Sequence, residues 1–457
     1  MNQLLKYTLV LLILGSVQLL FSSCLWDYDT LEMEREQFPS ALELIAGNFL
    51  RHSPAFYYWR VKDRTAKLKE NPKHFDWYDD LAVAYSKLGE QKKAIRLMHE
   101  KEELEGPSYK TYANLGTFYI FDGNLEAALK AIDQALLLDT NAHFGREIYQ
   151  KYLVEYILSK SKEGKINLPL DATFYKYPQN YYSTLNDNNF YSFLLEKHKE
   201  RTQKDVEKLP TDILDKALIG VLGMMRFANY DSPILLEVLG DLLFNTGNRS
   251  AARHLAARAY LKASYEVEDP KVQEIYKRRA AYVLFTQYAN EKKELLDIQR
   301  LQALLEEEIK IGQAFYEEIK SDELSWISAG ENVEEAYSKK YYTKPTLPKR
   351  TLEGVSQQEF AEMRKYLKGN YPLGAQLDYR PVLAYKLEVT PQEKTLIDSL
   401  FERKLALQLK KKQEEQEIKQ DSNTAKSSNT SLLLWGAVGG TIILLLILFL
   451  LKKNSRP

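Results

Sequence analysis

Apolar residues return along this chain in short bursts of three- and four-residue spacing, the rhythm of helices that bury one face. Between residues 75 and 108, Tyr78, Leu81, Ala82, Tyr85, Ala94, Ile95 and Met98 form two such bursts around Gly89. The spacing recurs 34 residues on, from 109 to 142, as Tyr112, Leu115, Gly116, Tyr119, Ala128, Leu129 and Ile132 around Gly123. A third copy, 233 to 266, carries Leu236, Leu239, Gly240, Leu243, Ala252, Ala256 and Ala259 around Gly247, and opens with Ser232 as N-cap and Pro233 in the first turn. Each block predicts two antiparallel helices. Small residues at positions 8 and 20 let the pair approach, and large neighbours fill the seam. Glycine at position 15 can take the left-handed conformation that stops the first helix. One pair cannot bury its own apolar face, so neighbouring pairs have to stack.

This pattern resembles the tetratricopeptide repeat (TPR), and the implied fold class is all-α, an α-solenoid of stacked helix hairpins. The proline usual at position 32 is missing: Gly106, followed by Pro107, stands there in the first repeat and Thr140 in the second. The resemblance implies a protein-binding groove lined by positions 2, 5, 9, 12 and 13. Those are Asp76, Asp79, Val83, Ser86 and Lys87; then Lys110, Ala113, Thr117, Ile120 and Phe121; then Ile234, Glu237, Asp241, Phe244 and Asn245. Members that clamp a C-terminal carboxylate use lysine at position 5 and asparagine at position 9. Asp79 and Val83 depart from that, so acidic peptides of that kind are not the implied partner.

Weaker units flank the repeats. Residues 41 to 74 follow a capping box of Ser40 and Glu43 and reach Pro72, and 143 to 158 read as a terminal helix, giving an N-terminal array over 24–165. A connector, 166–210, breaks the helical pattern from 166 to 195 with prolines, asparagines and aromatics; it reads as a packed loop or as an aromatic binding surface. A second array covers 211–320, with two long helices after 270, and 321–389 reads as irregular, with four prolines. Thr390, Pro391 and Glu393 open a helix over 390–420 whose last third is charged on every face. A flexible linker, 421–431, follows and spans about 17 Å as a random coil.

Both ends point to a membrane. Residues 1–23 have the form of a signal peptide, with Lys6 before an apolar stretch from Thr8 to Phe21 that is shorter than a spanning helix needs. Phe21, Ser22, Ser23 and Cys24 resemble the lipobox of bacterial lipoproteins, although Phe21 departs from its usual small aliphatic residue. The resemblance implies a lipid on Cys24, the one cysteine in 457 residues; an ordinary signal peptide before a stray thiol is the plainer reading. At the other end, 432–451 is uncharged and long enough to span a bilayer at about 30 Å. The tail 452–457 carries Lys452, Lys453 and Arg456, which favour the cytoplasm and leave the body outside. Gly436 and Gly440 form a GxxxG pair suited to a homodimer, or a small-residue patch that makes none.

Composition narrows the function. The 63 basic and 63 acidic residues cancel, which gives nucleic acid no basic footprint. The six histidines, His52, His74, His99, His143, His198 and His254, have no metal-ligand spacing, and no nucleophile elbow, P-loop or dinucleotide motif occurs. The expectation is a protein without catalysis, metal or cofactor. It would be a scaffold at the periplasmic face of the bacterial inner membrane that recruits other envelope proteins. Two other readings stand beside it: a catalytic site within 270–420, and a glycan-binding lipoprotein, because starch-utilisation lipoproteins are similar in their repeats, lipidated cysteine and aromatic platforms. In that case the run Phe174 to Phe193, with Tyr181 and Tyr182, would carry the sugar. A third would make the tail a sorting signal removed after export.

Overall fold

A computed structural model describes residues 41–139, 146–171, 188–246, 252–288, 298–342, 376–378 and 387–414. The signal peptide, Cys24, Tyr181, Tyr182, the linker, the 432–451 span with Gly436 and Gly440, and the basic tail lie outside them. Among the described residues no helix is long and apolar enough to cross a membrane. They are all-α apart from one antiparallel pair of three-residue strands, and the chain divides after Lys394 into two compact units.

In the first unit, α1 (Ala41–Ala46) and α2 (Pro54–Glu70) precede the repeats. The first repeat is α3 (Phe75–Lys87) with α4 (Gln91–Glu105), and the second is α5 (Tyr109–Asp122) with α6 (Leu125–Leu138). Each helix packs on the next from α2 to α6, and α3 also touches α5, the neighbour relation that stacking requires. Gly89 and Gly123 end the first helix of each pair at φ +80° and +78°, where a side chain would be strained. The small residue at position 8 is a close approach: a Cβ on Gly116 would lie 2.7 Å from Ile132 Cγ1, and one on Gly240 2.6 Å from the Tyr260 ring. The all-α hairpin architecture is compatible with a TPR-like solenoid.

α7 (Glu147–Lys160) packs on α6 and also on the helices at 190–202 and 211–227, so it leads the first array into the second instead of ending the stack. The connector then contributes β1 (Lys165–Asn167) and α8 (Phe190–Thr202), which starts inside the segment read as non-helical. Asn189 makes that start possible by capping Ser192 N–H (2.9 Å). α9 (Thr211–Phe227), α10 (Pro233–Phe244), α11 (Ala252–Tyr265) and α12 (Pro270–Tyr288) form the second array, and Ser232 caps α10 through Leu235 N–H as the sequence implies. β2 (Gln376–Asp378) pairs with β1, Ile166 opposite Leu377.

α13 (Ile298–Ala329) is the longest of these helices, and α14 (Val333–Tyr341) follows a turn at Gly330, φ +72°. Residues 321–341, read as irregular, are therefore mostly helical. Asn332 caps α14 through Glu335 N–H, and Val333, Tyr337 and Tyr341 form a buried stripe that the surrounding charges disguise. α13 packs on α1, α2, α11 and α12, and so joins the two arrays. Glu323 accepts from Ser53 N–H (2.8 Å) and pairs with His52 Nδ1 (2.5 Å), both at the start of α2. Glu308 receives Arg258 of α11 through two bonds of 2.8 and 3.1 Å. Between these fastenings, Gly312 lies against the backbone that ends α1, where an added Cβ would come within 2.9 Å of Asn48 N and closer to the Ala46 oxygen. One apolar core runs from Leu44 and Ile45 through α5–α7 into α9–α13, with a smaller one between the first two repeats.

In the second unit the described residues, 395–414, are helical, and every residue from 402 to 414 is exposed.

Candidate functional site: a self-filled repeat face and an open cavity

Most residues at the predicted groove positions are buried, and the chain itself provides their partners. Asp79 accepts two bonds from Lys101 Nζ (2.8 and 2.9 Å) and one from Asn114 (3.3 Å). Burial pushes its carboxyl up to about 7 despite the opposing ammonium. Lys87 Nζ donates to the carbonyls of Phe227 (2.5 Å) and Ala228 (3.2 Å), at the C-terminal end of α9 where a helix exposes its acceptors. Thr117 accepts from Gln150 (3.0 Å), and Phe121 joins the main core. Asp76 stays exposed and pairs with Lys110 at 2.9 Å, position 2 of one repeat with position 2 of the next. Their bond holds the Asp76 carboxyl below its ordinary range.

The third repeat is filled more completely. Every residue of α10 is buried. Glu237, at position 5, accepts from Leu170 N–H (3.0 Å), Asp171 N–H (3.1 Å), Tyr276 OH (2.7 Å) and Arg279 Nη1 (2.9 Å). Arg279 also donates to the Asp171 carbonyl. Asp241, at position 9, accepts from Phe190 N–H (3.4 Å) and Tyr260 OH (2.6 Å). Burial, reinforced by Glu237, raises its carboxyl to about 8. Asn245 donates to the Asp241 carbonyl (2.8 Å). The two repeat carboxyl groups thus hold backbone N–H groups from both described flanks of the connector. Phe190 and Phe193, at the end of the aromatic run, pack against Tyr156.

A half-open cavity of about 550 Å³ lies between α2, α3 and the segment 387–390. Val61, Leu88, Leu387 and Val389 give it apolar walls, Tyr58 and Tyr85 contribute rings, and Leu387 N–H is tied to the Lys87 carbonyl (2.8 Å). Lys62, Lys93 and Lys394 stand around it with Glu90 and Glu388. Lys62 Nζ and Lys394 Nζ both approach the Tyr58 ring, at 5.3 and 6.0 Å from its centre, and Lys93 approaches Tyr85 at 5.5 Å. Sequence reasoning passed over this site. Tyr58 and Lys62 are one helical turn apart on α2, but nothing in the sequence places residues 387–394 beside them.

Among the described residues no group of three or more histidine, cysteine, aspartate or glutamate side chains could hold a metal ion. Set against models of known families, curated proteins and solved structures, the chain matches none. What the architecture supports is a helical protein of many helix hairpins, compatible with a TPR-like solenoid.

Proposed function

We propose that the protein is a non-catalytic scaffold that brings other proteins together at the periplasmic face of a bacterial inner membrane. In this reading the repeat body is periplasmic, 432–451 spans the bilayer, the basic tail is cytoplasmic, and a lipid on Cys24 adds a second anchor. The observation that carries it is the repeat itself: two 34-residue hairpins in register, tied at equivalent positions by Asp76 and Lys110, an architecture whose work is to present surface. Of the groove positions, Asp76, Lys110 and Asn245 are the ones not buried, so partners in trans are assigned to the Asp76–Lys110 edge and not to the filled interior. Crosslinking of the tagged full-length protein in intact cells, followed by mass spectrometry of the membrane fraction, tests this. The same protein neighbours should recur across replicates. Recovery from the cytosol, or no recurring neighbour, would refute it.

A further inference from the structure

We infer that the helix of the second unit, 395–414, lies on the surface of a phospholipid bilayer and turns toward it the face formed by Phe401, Leu405 and Leu409. The inference rests on the proposed span at 432–451. Leu405, Leu407 and Leu409 are 57%, 63% and 54% exposed, and among the described residues the other large apolar side chains so placed are Leu104, Leu137 and Leu138. Half of the exposed leucines thus crowd into five positions of one helix, a density that marks an interaction surface and not scattered exposure. Phe401, Leu405 and Leu409 follow one another at four-residue steps and share a sector of about 80° at 3.6 residues per turn. Arg403 and Lys410 fall on the opposite side, with Lys404 and Lys411 on the flank. An apolar stripe backed by basic residues is the form of a helix that lies in a membrane interface.

The tether selects the bilayer as the cover. Seventeen residues, 415–431, separate the end of the described helix from the proposed span. A chain of that length reaches about 20–25 Å as a random coil and at most about 60 Å when extended, so the leucines stay beside the lipid. The bases then decide between lipid and a second copy of this chain. Residues 402–414 carry five of them against two acids, Glu402 and Glu414. Lys410 pairs with Glu414 at 3.9 Å, and the other four bases form no ion pair among the described residues. A second copy held by the same span would run parallel and set these bases beside their own equivalents, a repulsion. On a bilayer their long side chains reach up to the phosphates while the leucines enter the acyl boundary.

The test uses the full-length protein in nanodiscs of phosphatidylcholine and phosphatidylglycerol, with a share of phosphatidylcholine that carries a diazirine near the glycerol end of one acyl chain. Irradiation should give lipid adducts at 401–409 and at the ends of 432–451 and none on the repeat helices, equally in discs that hold one copy or two. The double variant Leu405→Gln, Leu409→Gln should lower the adducts at 401–409 by about tenfold and leave those at 432–451 unchanged. Both positions are exposed, so circular dichroism should show the fold intact. Leu407→Gln, on the opposite side of the helix, should change neither set of adducts. Adducts at 432–451 with none at 401–409 would overturn the inference and leave the span in place, whereas adducts at neither would remove the span on which it rests. Adducts at 401–409 that vanish when two copies share a disc would assign the face to a second copy and overturn the inference. So would an undiminished signal in the double variant, or an equal loss in Leu407→Gln.

Discussion

Replacing Gly312 by alanine sets two effects of opposite sign against each other. Glycine within a helix is about 1 kcal/mol worse than alanine, so at an uncrowded position the change would stabilise α13. At Gly312 the new Cβ would fall 2.9 Å from both Asn48 N and Gly47 C and nearer still to the Ala46 carbonyl oxygen. All three are backbone atoms and cannot rotate away, so α13 must lift from the end of α1 or the α1 turn must move. Overpacking of this kind costs about 1–3 kcal/mol. The difference is a net loss of up to about 2 kcal/mol, so the crowding wins. Gln313→Ala, on an exposed neighbour in the same helix, is the control and should change stability by less than about 0.5 kcal/mol. Urea unfolding of the full-length protein measures both, and hydrogen exchange localises the effect: amides of 44–48 and of α13 near 312 should exchange faster in Gly312→Ala. A Gly312→Ala protein more stable than the parent, with unchanged exchange at 44–48, would show that α13 does not dock as described.

Two further outcomes follow from buried carboxyl groups and one from a helix stop. Glu237→Gln takes the carboxylate from the buried Arg279, a loss of about 3–5 kcal/mol by urea midpoint, and the double variant with Arg279→Met should recover part of it. Asp241 has its folded pKa raised from 3.8 to about 8, so between those values the folded state keeps a proton that the unfolded state releases. Its contribution therefore falls as pH rises from about 4 to about 8, and Asp241→Asn should flatten that slope in unfolding titrations. Gly123→Ala forces a side chain into φ +78° and should cost about 1–2 kcal/mol by thermal unfolding, with Gly123→Asn costing less.

What the sequence disclosed was local. Gly89 and Gly123 as helix stops, Gly116 and Gly240 as points of close approach, and Ser232 with Pro233 as a helix start all depend on neighbours within one repeat, and all appear as expected. So does the capping box at 390–393, where Thr390 N–H donates to Glu393 (2.8 Å) and Glu393 N–H to the Thr390 hydroxyl (3.2 Å). The docking of α13 was not legible, because its fastenings join residues as far as 271 positions apart, as with His52 and Glu323, and a lone histidine or glutamate carries no mark of its partner. The filling of the repeat face was hidden for a different reason. Glu237 and Asp241 stand where groove residues stand, but the groups they hold, Leu170, Asp171 and Phe190, contribute backbone N–H, which every residue but proline offers. Side-chain pattern alone therefore could not distinguish a groove awaiting a partner from one occupied by its own chain.

Hydrogen exchange at the connector anchors is the most direct measurement of that occupancy. If the repeat carboxyl groups hold the connector, the amides of Leu170, Asp171 and Phe190 exchange in the intact protein as slowly as those of α10, and Glu237→Gln speeds the first two. Should those amides exchange as fast as exposed loop positions while α10 stays protected, the repeat face is open and the account of a self-filled array is wrong.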